Sequence, residues 1–345
     1  MKVLVRLYAN SRDRRGLGDA VQLVIILKHL KKTHPNWEIY TETSSGKESC
    51  FTGFVKHTFN IEESPANPKD FEKVYNLFFG EPNKSTSELA VKYQVPATKT
   101  TTTLVEDFQI IPDPLLFKYD INISAQIHRI VKSYLSTIPS KNGIITIHPH
   151  AISTPHNKDI DDKDLSMICD SLIHNGYTPL ILDWKDSDLP DQKRIFSPMR
   201  NNSIWMGQPH GNAGVIASII SQSKLFIGVD SGPLHVAGTT KTPTIGYWKF
   251  HHPIHFYDLS DNVTHMTPCE HLKYMYSDNK RLLDDYFQRN YKHRWYSGCR
   301  KTAIVDTIYE TIGTNQTKNE IVKDEKIILP PFHSIRDRQW WPIKI

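Results

Sequence analysis

Polar side chains that can bind phosphate follow a short apolar run in the second half of the chain. The run Leu225–Val229 predicts a buried parallel strand, and Asp230 and Ser231 come directly after it. Gly232 and Pro233 then open a predicted helix, since proline is favoured in a first helical turn, where its missing N–H is not needed. The free N–H groups and partial positive charge of such a helix start suit a phosphate or a pyrophosphate.

The next turn of this predicted helix adds a second polar group. Leu234 lies at the helix start, and His235 and Asp230 are close enough to it in sequence to reach a sugar or a diphosphate. An alternative remains open at this point, because Asp and Ser are both favoured N-cap residues. Either Asp230 or Ser231 could therefore serve only as the cap of the helix.

A glycine turn near the N-terminus has two competing interpretations. Residues 2–8 predict a first strand, residues 20–30 have helical apolar spacing, and Gly16 and Gly18 lie between them. Two glycines before a helix, with Glu42 at the end of the second strand, partly match a nicotinamide dinucleotide site. The third glycine of that pattern is missing, and the loop is longer than the tight turn such a site needs.

The elements that must position these groups alternate along the whole chain. Strands and helices follow one another with spacers of the right length, which predicts parallel sheets covered on both faces by helices. Ligands of such α/β sheets bind beyond the carboxyl ends of the strands. His148 and Asp230 both follow strands, so we expect them to lie at the same edge and to form one cleft.

The composition limits the class of protein. With 345 residues, 39% hydrophobic residues and 23% charged residues, the chain is expected to be a soluble globular protein of two domains. No apolar run is long enough for a transmembrane helix, and the N-terminus resembles a strand more than a signal peptide. Four widely spaced cysteines favour reduced thiols in a cytoplasm over disulfides or zinc. A net charge of +5 permits an anionic ligand.

The two motifs together resemble those of glycosyltransferase family 9, the heptosyltransferase-like enzymes. Residues 230–244 read D-S-G-P-x-H-x-A-x-x-x-x-T-P-T, which is similar to the family signature, although residues 238–241 depart from it. Residues 16–20 read G-L-G-D-A and resemble the N-terminal G-x-G-D motif of the same family. The resemblance implies two Rossmann-like domains facing a central cleft, the GT-B architecture.

The family motifs also imply roles for individual residues. The acid that corresponds to Asp19 is the proposed general base, and we expect it to stay ionised because a helix dipole favours negative charge in the first turn. Its alternative role is that of an N-cap, and one does not exclude the other. Lys158 would contact the donor diphosphate, and His150 replaces a glycine that the family usually has before it. The implied donor-binding set is Lys158, Asp230, Ser231, Gly232, Pro233, Leu234, His235 and His150.

The acceptor is expected to be anionic. Arg12, Arg14 and Arg15 precede Asp19 in a basic loop, and arginine suits bidentate contact with phosphate or carboxylate. With Gly18, these arginines form the predicted acceptor site; the alternative is a solvated loop. The implied division is residues 1–140 for the acceptor, residues 143–312 for the donor, and a tail, residues 313–345, that we expect to pack back on the first domain.

The sequence therefore predicts a metal-independent, inverting glycosyltransferase without a cofactor. A nucleotide diphosphate sugar resembling ADP-heptose would be the donor, and a surface saccharide would be the acceptor. Three alternatives remain: a transferase acting on modified bases of nucleic acid, an NAD(P)-dependent oxidoreductase, and a non-catalytic sensor of nucleotide sugars. The histidines at positions 251, 252 and 255 match no zinc pattern and are assigned to the mouth of the cleft.

Overall fold

The computed structural model describes most of the two sheets and the helices around them. The described residues are 1–7, 16–79, 84–151, 158–182, 195–198, 204, 212–249, 253, 256, 261–268, 292–296 and 303–313. Among them, no helix is both long enough and apolar enough to cross a membrane.

The first sheet has four parallel strands in the order β3-β2-β1-β4. Before the third strand the chain turns at Gly53, whose φ of +89° belongs to the left-handed region. The strands are β1 (Lys2–Leu7), β2 (Glu38–Thr43), β3 (His57–Asn60) and β4 (Lys73–Leu77).

Helix α1 (Leu17–Thr33) joins β1 to β2 and is buried on all sides near its start. Every residue from 20 to 27 is buried, since the helix lies between the first sheet and the helices of the second half of the chain. The apolar spacing predicted this helix but indicated only one buried face.

Among the described residues of the first half, three further α-helices follow α1: α2 (Lys84–Tyr93), α3 (Lys99–Thr102) and α4 (Ala125–Leu135). The threonine run in α3 does not by itself predict a helix, because threonine is β-branched and favours strands over helices. Tertiary contacts decide its helical form. The Thr102 hydroxyl lies 2.7 Å from that of Thr86, and the Thr100 N–H donates to Gln22 Oε1 on α1 at 3.0 Å.

The second sheet has six parallel strands in the order β10-β9-β8-β7-β5-β6. The direction of winding reverses between β5 and β7, and such a switch point is where α/β sheets bind ligands. The last two strands were not predicted. The strands are β5 (Ile144–His148), β6 (Thr178–Ile181), β7 (Leu225–Val229), β8 (Thr244–Tyr247), β9 (Val263–Pro268) and β10 (Lys292–Tyr296).

Helices cover both faces of the second sheet, as the sequence predicted. Ile145 and Ile147 face the cluster that contains α5 and α8, whereas α6 and α7 belong to the cluster that also contains α1 and the first sheet. One apolar core thus runs from one sheet to the other. The helices are α5 (Asp162–His174), α6 (Ala213–Ser221), α7 (Gly232–Gly238) and α8 (Ala303–Thr311).

Candidate functional site

The two sequence motifs meet where the starts of α1 and α7 touch. A Cβ atom built on Gly232 would lie 2.7 Å from the Cβ of Leu17 and 3.2 Å from the backbone nitrogen of Gly18. Real Cβ atoms essentially never come within 3.0 Å of another heavy atom, so only glycine allows this approach. The turn before α1 and the turn before α7, more than 200 residues apart in sequence, therefore form one site.

Asp19 lies in the first turn of α1, half-buried at this contact. Its Oδ2 accepts a hydrogen bond from the Gly16 N–H at 3.0 Å, so Gly16 is the N-cap residue and Asp19 completes the cap from three residues later, instead of being the N-cap itself. Burial raises the pKa of Asp19 above its ordinary value, while the Gly16 N–H and the charges of His235 and Lys47 act in the opposite direction. We had expected the helix dipole to keep this acid ionised, but desolvation is the largest effect.

Asp230 follows β7 and lies between Lys158 and His235. The Nζ of Lys158 lies 2.8 Å from Oδ2 of Asp230, and Nε2 of His235 lies 3.9 Å from Oδ1. The side chains of Lys158 and Asp230 are only 8% and 12% exposed, so the ion pair is shielded from solvent. Three of the predicted donor-binding residues, Lys158, Asp230 and His235, thus form one buried cluster.

His235 is buried on α7 between charged groups and aromatic rings. Burial lowers the pKa of His235; Asp230 and Asp19 act to raise it, and Lys158 acts to lower it. The imidazole stacks on Phe256, with ring centroids 5.1 Å apart and an interplanar angle of 18°. Desolvation and stacking thus hold a neutral imidazole against the carboxylate of Asp230.

A second aromatic residue, Trp248, packs against His235 and in turn binds His265. The indole of Trp248 meets the imidazole of His235 edge-on, at 6.5 Å between centroids. Trp248 Nε1 also donates to Nδ1 of the buried His265 at 2.9 Å. No sequence motif assigned a role to Trp248, Phe256 or His265; a tryptophan ending the motif strand was the only available signal.

The segment that carries Lys158 is fixed by the residues that follow it. The Ala151 N–H donates to Asp159 Oδ1 at 2.8 Å, and the Nζ of Lys249 lies 2.8 Å from Asp161 Oδ1. Lys249 is thus paired with an acid of the segment that follows Lys158. Its position holds the Lys158 segment against the end of β8.

The remaining residues of the donor motif occupy the start of α7. Ser231 is the N-cap residue by position, but its hydroxyl donates to the Val229 carbonyl at 3.0 Å and makes no capping bond. Pro233 and Leu234 are buried in the first turn. His150 follows β5 at the same edge of the sheet and is half-buried. The alternative that the Ser231 side chain serves only to cap the helix is therefore not supported.

Lys47 is a basic residue near Asp19 that the sequence interpretation missed. It follows β2, and its Nζ donates to Ser44 Oγ at 2.5 Å. The same loop reaches the second half of the chain, because the Ala213 N–H donates to the Gly46 carbonyl at 2.7 Å. A lysine in a polar turn after a strand was the only sequence signal. Of the predicted acceptor residues, Gly18 lies at the contact with Gly232.

Several predicted residues lie outside the described part of the chain. They are Arg12, Arg14 and Arg15 of the basic loop, and the histidines at positions 251, 252 and 255. The C-terminal tail after residue 313 also lies outside it. The expectations for these residues remain predictions.

Comparison with known proteins identifies a family and a fold. Residues 86–281, more than half of the chain, match the sequence model of glycosyltransferase family 9 (heptosyltransferase). A family 9 glycosyl transferase from Veillonella parvula DSM 2008 superposes with a TM-score of 0.60 at 13% identity, over 90% of this chain and 97% of that chain. A comparison with curated protein sequences finds no match.

Two E. coli enzymes have similar structures. The ADP-heptose lps heptosyltransferase II superposes with a TM-score of 0.59 at 13% identity, over 90% of this chain and 98% of that chain. The heptosyltransferase WaaC with ADP gives a TM-score of 0.51 at 12% identity, over 90% of this chain and 100% of that chain. At such identities the likeness concerns the fold, and it confirms the predicted arrangement of two Rossmann-like domains.

Proposed function

Because the chain belongs to glycosyltransferase family 9, we propose that it transfers a sugar from a nucleotide diphosphate sugar to a hydroxyl of an anionic saccharide. The observation that carries this proposal is the position of Asp19. This half-buried carboxylate of the first half of the chain faces the cluster of Lys158, Asp230 and His235 from the second half. A base for the acceptor and a cation for the donor thus lie on either side of one contact.

The donor is expected to bind at the ends of β5 and β7. Lys158 is a buried cation at the switch point of the second sheet, where a diphosphate would receive charge compensation. The E. coli relatives suggest ADP as the nucleotide, since one acts with ADP-heptose and the other was solved with ADP. We therefore propose a donor resembling ADP-heptose, with the diphosphate beside Lys158 and the start of α7.

The proposed reaction is a direct displacement. Asp19 accepts the proton of the acceptor hydroxyl while its oxygen forms a bond to the anomeric carbon of the donor. The bond between that carbon and the diphosphate oxygen breaks, and the nucleoside diphosphate leaves with the electron pair. Attack opposite the leaving group inverts the anomeric centre. Lys158 balances the growing negative charge, so this scheme includes no metal ion or cofactor.

The acceptor is proposed to be an anionic saccharide. Lys47 lies near Asp19 on the acceptor side, and the basic loop with Arg12, Arg14 and Arg15 directly precedes Asp19 in sequence. No observation favours a nucleic acid as acceptor. The nicotinamide alternative loses its main support, because Glu42 is engaged by Arg6, whose Nη1 lies 3.0 Å from Glu42 Oε2. The ribose of a nicotinamide dinucleotide would have to compete with Arg6 for the Glu42 carboxylate.

Two substitutions of Asp19 separate catalysis from capping. Asp19→Asn keeps an oxygen that accepts the Gly16 N–H but cannot accept a proton, whereas Asp19→Ala loses both functions. We expect both variants to lose transfer by at least about 100-fold, with a larger loss of stability in the alanine variant. Nucleoside diphosphate release from ADP-heptose, with a panel of acidic saccharides as acceptors, measures transfer. If Asp19→Asn retained normal transfer, Asp19 would not be the base.

Donor binding is tested separately by thermal shift. ADP, UDP, GDP and CDP would be compared with NAD and NADP, because a ligand at 100 times its Kd stabilises a protein by about 2.7 kcal/mol. We expect one nucleoside diphosphate to stabilise the wild type and the Asp19→Asn variant but not Lys158→Met. Stabilisation by the nicotinamide dinucleotides alone would instead support an oxidoreductase.

A further inference from the structure

We propose that binding of the anionic donor places a proton on His235, and that this imidazolium then holds Asp19 in its carboxylate form. The inference rests on the proposed function in one respect, namely that the donor diphosphate binds beside Lys158. It adds a link between the donor side and the acceptor side of the site. His235 would act through Asp19 and is therefore a positioning residue for the base.

The geometry supplies a chain of charged groups across the contact. Asp230 lies between Lys158, at 2.8 Å, and His235, at 3.9 Å. His235 lies in the first turn of α7, whose start touches the start of α1 that carries Asp19, and each group shifts the pKa of the other. Among the described residues, the charged groups that face His235 are Asp230 from the β7 end, Lys158 from the loop before α5, and Asp19 from α1.

The free site disfavours a proton on His235. The side chain is 4% exposed, so an imidazolium would be desolvated, and the positive charge of Lys158 opposes a second cation nearby. Lys158 also occupies one carboxylate oxygen of Asp230. Aromatic rings, with Phe256 stacked at 5.1 Å and Trp248 edge-on, cover the imidazole where water would otherwise stabilise its charge.

A diphosphate beside Lys158 reverses this balance. Its negative charges offset the lysine that repels a proton on His235, and they attract the proton directly at the low dielectric of a buried site. Asp230 remains in place to accept a hydrogen bond from the protonated imidazole. Donor binding and proton uptake are then linked, so each must favour the other.

The consequence for the base concerns Asp19. Burial raises the pKa of this carboxylate, so desolvation works against its charged form. A positive charge on His235 offsets that effect only when the donor is bound. Asp19 would then become competent to take the acceptor proton when there is a donor to react with.

Isothermal titration calorimetry in two buffers of different ionisation enthalpy measures proton uptake directly. The probe is a nucleoside diphosphate glucose, beginning with ADP-glucose, because its diphosphate has no pKa near neutral pH, unlike ADP with a phosphate pKa of about 6. At pH 8 we expect the wild type to take up protons, approaching one per site. Between the pKa values of free and bound His235, affinity should rise up to about tenfold for each pH unit that the pH falls.

Three variants test the assignment. His235→Gln should bind the probe without proton uptake and with no pH dependence from this group. Asp230→Asn should also lose the uptake, because its amide cannot stabilise an imidazolium, and it provides a second test if His235→Gln does not fold. His128→Gln, which changes an exposed histidine on α4, should keep the full uptake.

The outcomes separate this inference from the proposed function. Binding without proton uptake in the wild type, or uptake that survives in His235→Gln, would overturn the role of His235 while leaving the donor site intact. If no nucleoside diphosphate glucose bound at all, the proposed donor site would be wrong, and the role of His235 with it.

Discussion

Leu17 and Gly232 touch so closely that the Cβ of Leu17 lies 2.7 Å from the position a Cβ on Gly232 would occupy. This contact joins the helix that carries Asp19 to the helix that carries His235. The contact therefore fixes the position of Asp19 relative to that of His235. A change of one carbon atom here should therefore alter the distance between base and donor.

Gly232→Ala is expected to destabilise the protein and to reduce transfer. The added methyl overlaps Leu17, so the two helices must move apart, and overpacking of this kind costs about 1–3 kcal/mol. Urea unfolding and the transfer assay measure the two effects. Adding Leu17→Gly removes the obstructing atom and should restore part of the activity, whereas Leu17→Ala keeps that atom and should not. Full activity of Gly232→Ala would mean that this contact does not set the geometry of the site.

The buried pair of Lys158 and Asp230 can be tested without any ligand. Lys158→Met leaves the Asp230 carboxylate buried beside an apolar chain, which we expect to cost about 3 kcal/mol of unfolding free energy. Lys158→Met combined with Asp230→Leu removes both charges and should be more stable than Lys158→Met alone. Urea denaturation of the two variants and the wild type gives the comparison. A double variant less stable than Lys158→Met would contradict the buried pairing.

A second buried histidine, His29, should make the protein sensitive to acid. Its Nδ1 donates to the Ile25 carbonyl at 2.7 Å and its Nε2 accepts the Asp113 N–H at 2.9 Å, so neither nitrogen has room for an extra proton. Burial lowers the pKa of His29 below the ordinary value of 6.5. The unfolded chain therefore binds a proton that the folded protein does not, and stability falls as the pH drops below 6.5.

For one such group, the free energy of unfolding falls by about 1.4 kcal/mol per pH unit. The fall extends from the pKa of the unfolded histidine down to the pKa of His29 in the folded protein. His29→Gln should be less stable than the wild type at pH 7.5, because it loses the paired contacts. The difference should shrink at pH 5.5, since the variant has no imidazole to protonate when it unfolds. Urea unfolding at both pH values tests this. A gap that stays constant with pH would show that His29 does not contribute to the acid sensitivity.

The two described cysteines should be chemically inert in the folded protein. Burial raises the pKa of Cys50 and of Cys169 to about 12 each, so almost no thiolate is present at neutral pH. Iodoacetamide should modify neither residue under native conditions and both after unfolding in urea. Peptide mass spectrometry measures the modification at each site. Rapid native labelling of Cys50 would mean that the core around α1 opens readily.

The local elements could be predicted because their determinants are local. The apolar spacing of α1, the Asp-Ser-Gly-Pro turn and the apolar run of β7 each depend on neighbouring residues, and the structure has them where the sequence placed them. The threonine helix α3 could not be predicted, since it depends on a contact with Gln22 that lies 78 residues away. The strands β9 and β10 were also missed.

The sequence by itself determined the order of strands and helices, the family motifs and the identity of Asp19, Lys158, Asp230 and His235 as candidate residues. Only the tertiary structure decided that the turn with Asp19 meets the helix with His235, that Lys47 lies near Asp19, and that Lys249 binds Asp161. The physical reason is the distance along the chain over which each kind of interaction acts. Periodicity and caps act over a few residues. The packing of α1 against α7 instead brings together turns that the chain separates by some 200 residues. Burial at that contact then shifts the pKa values of the side chains in the site.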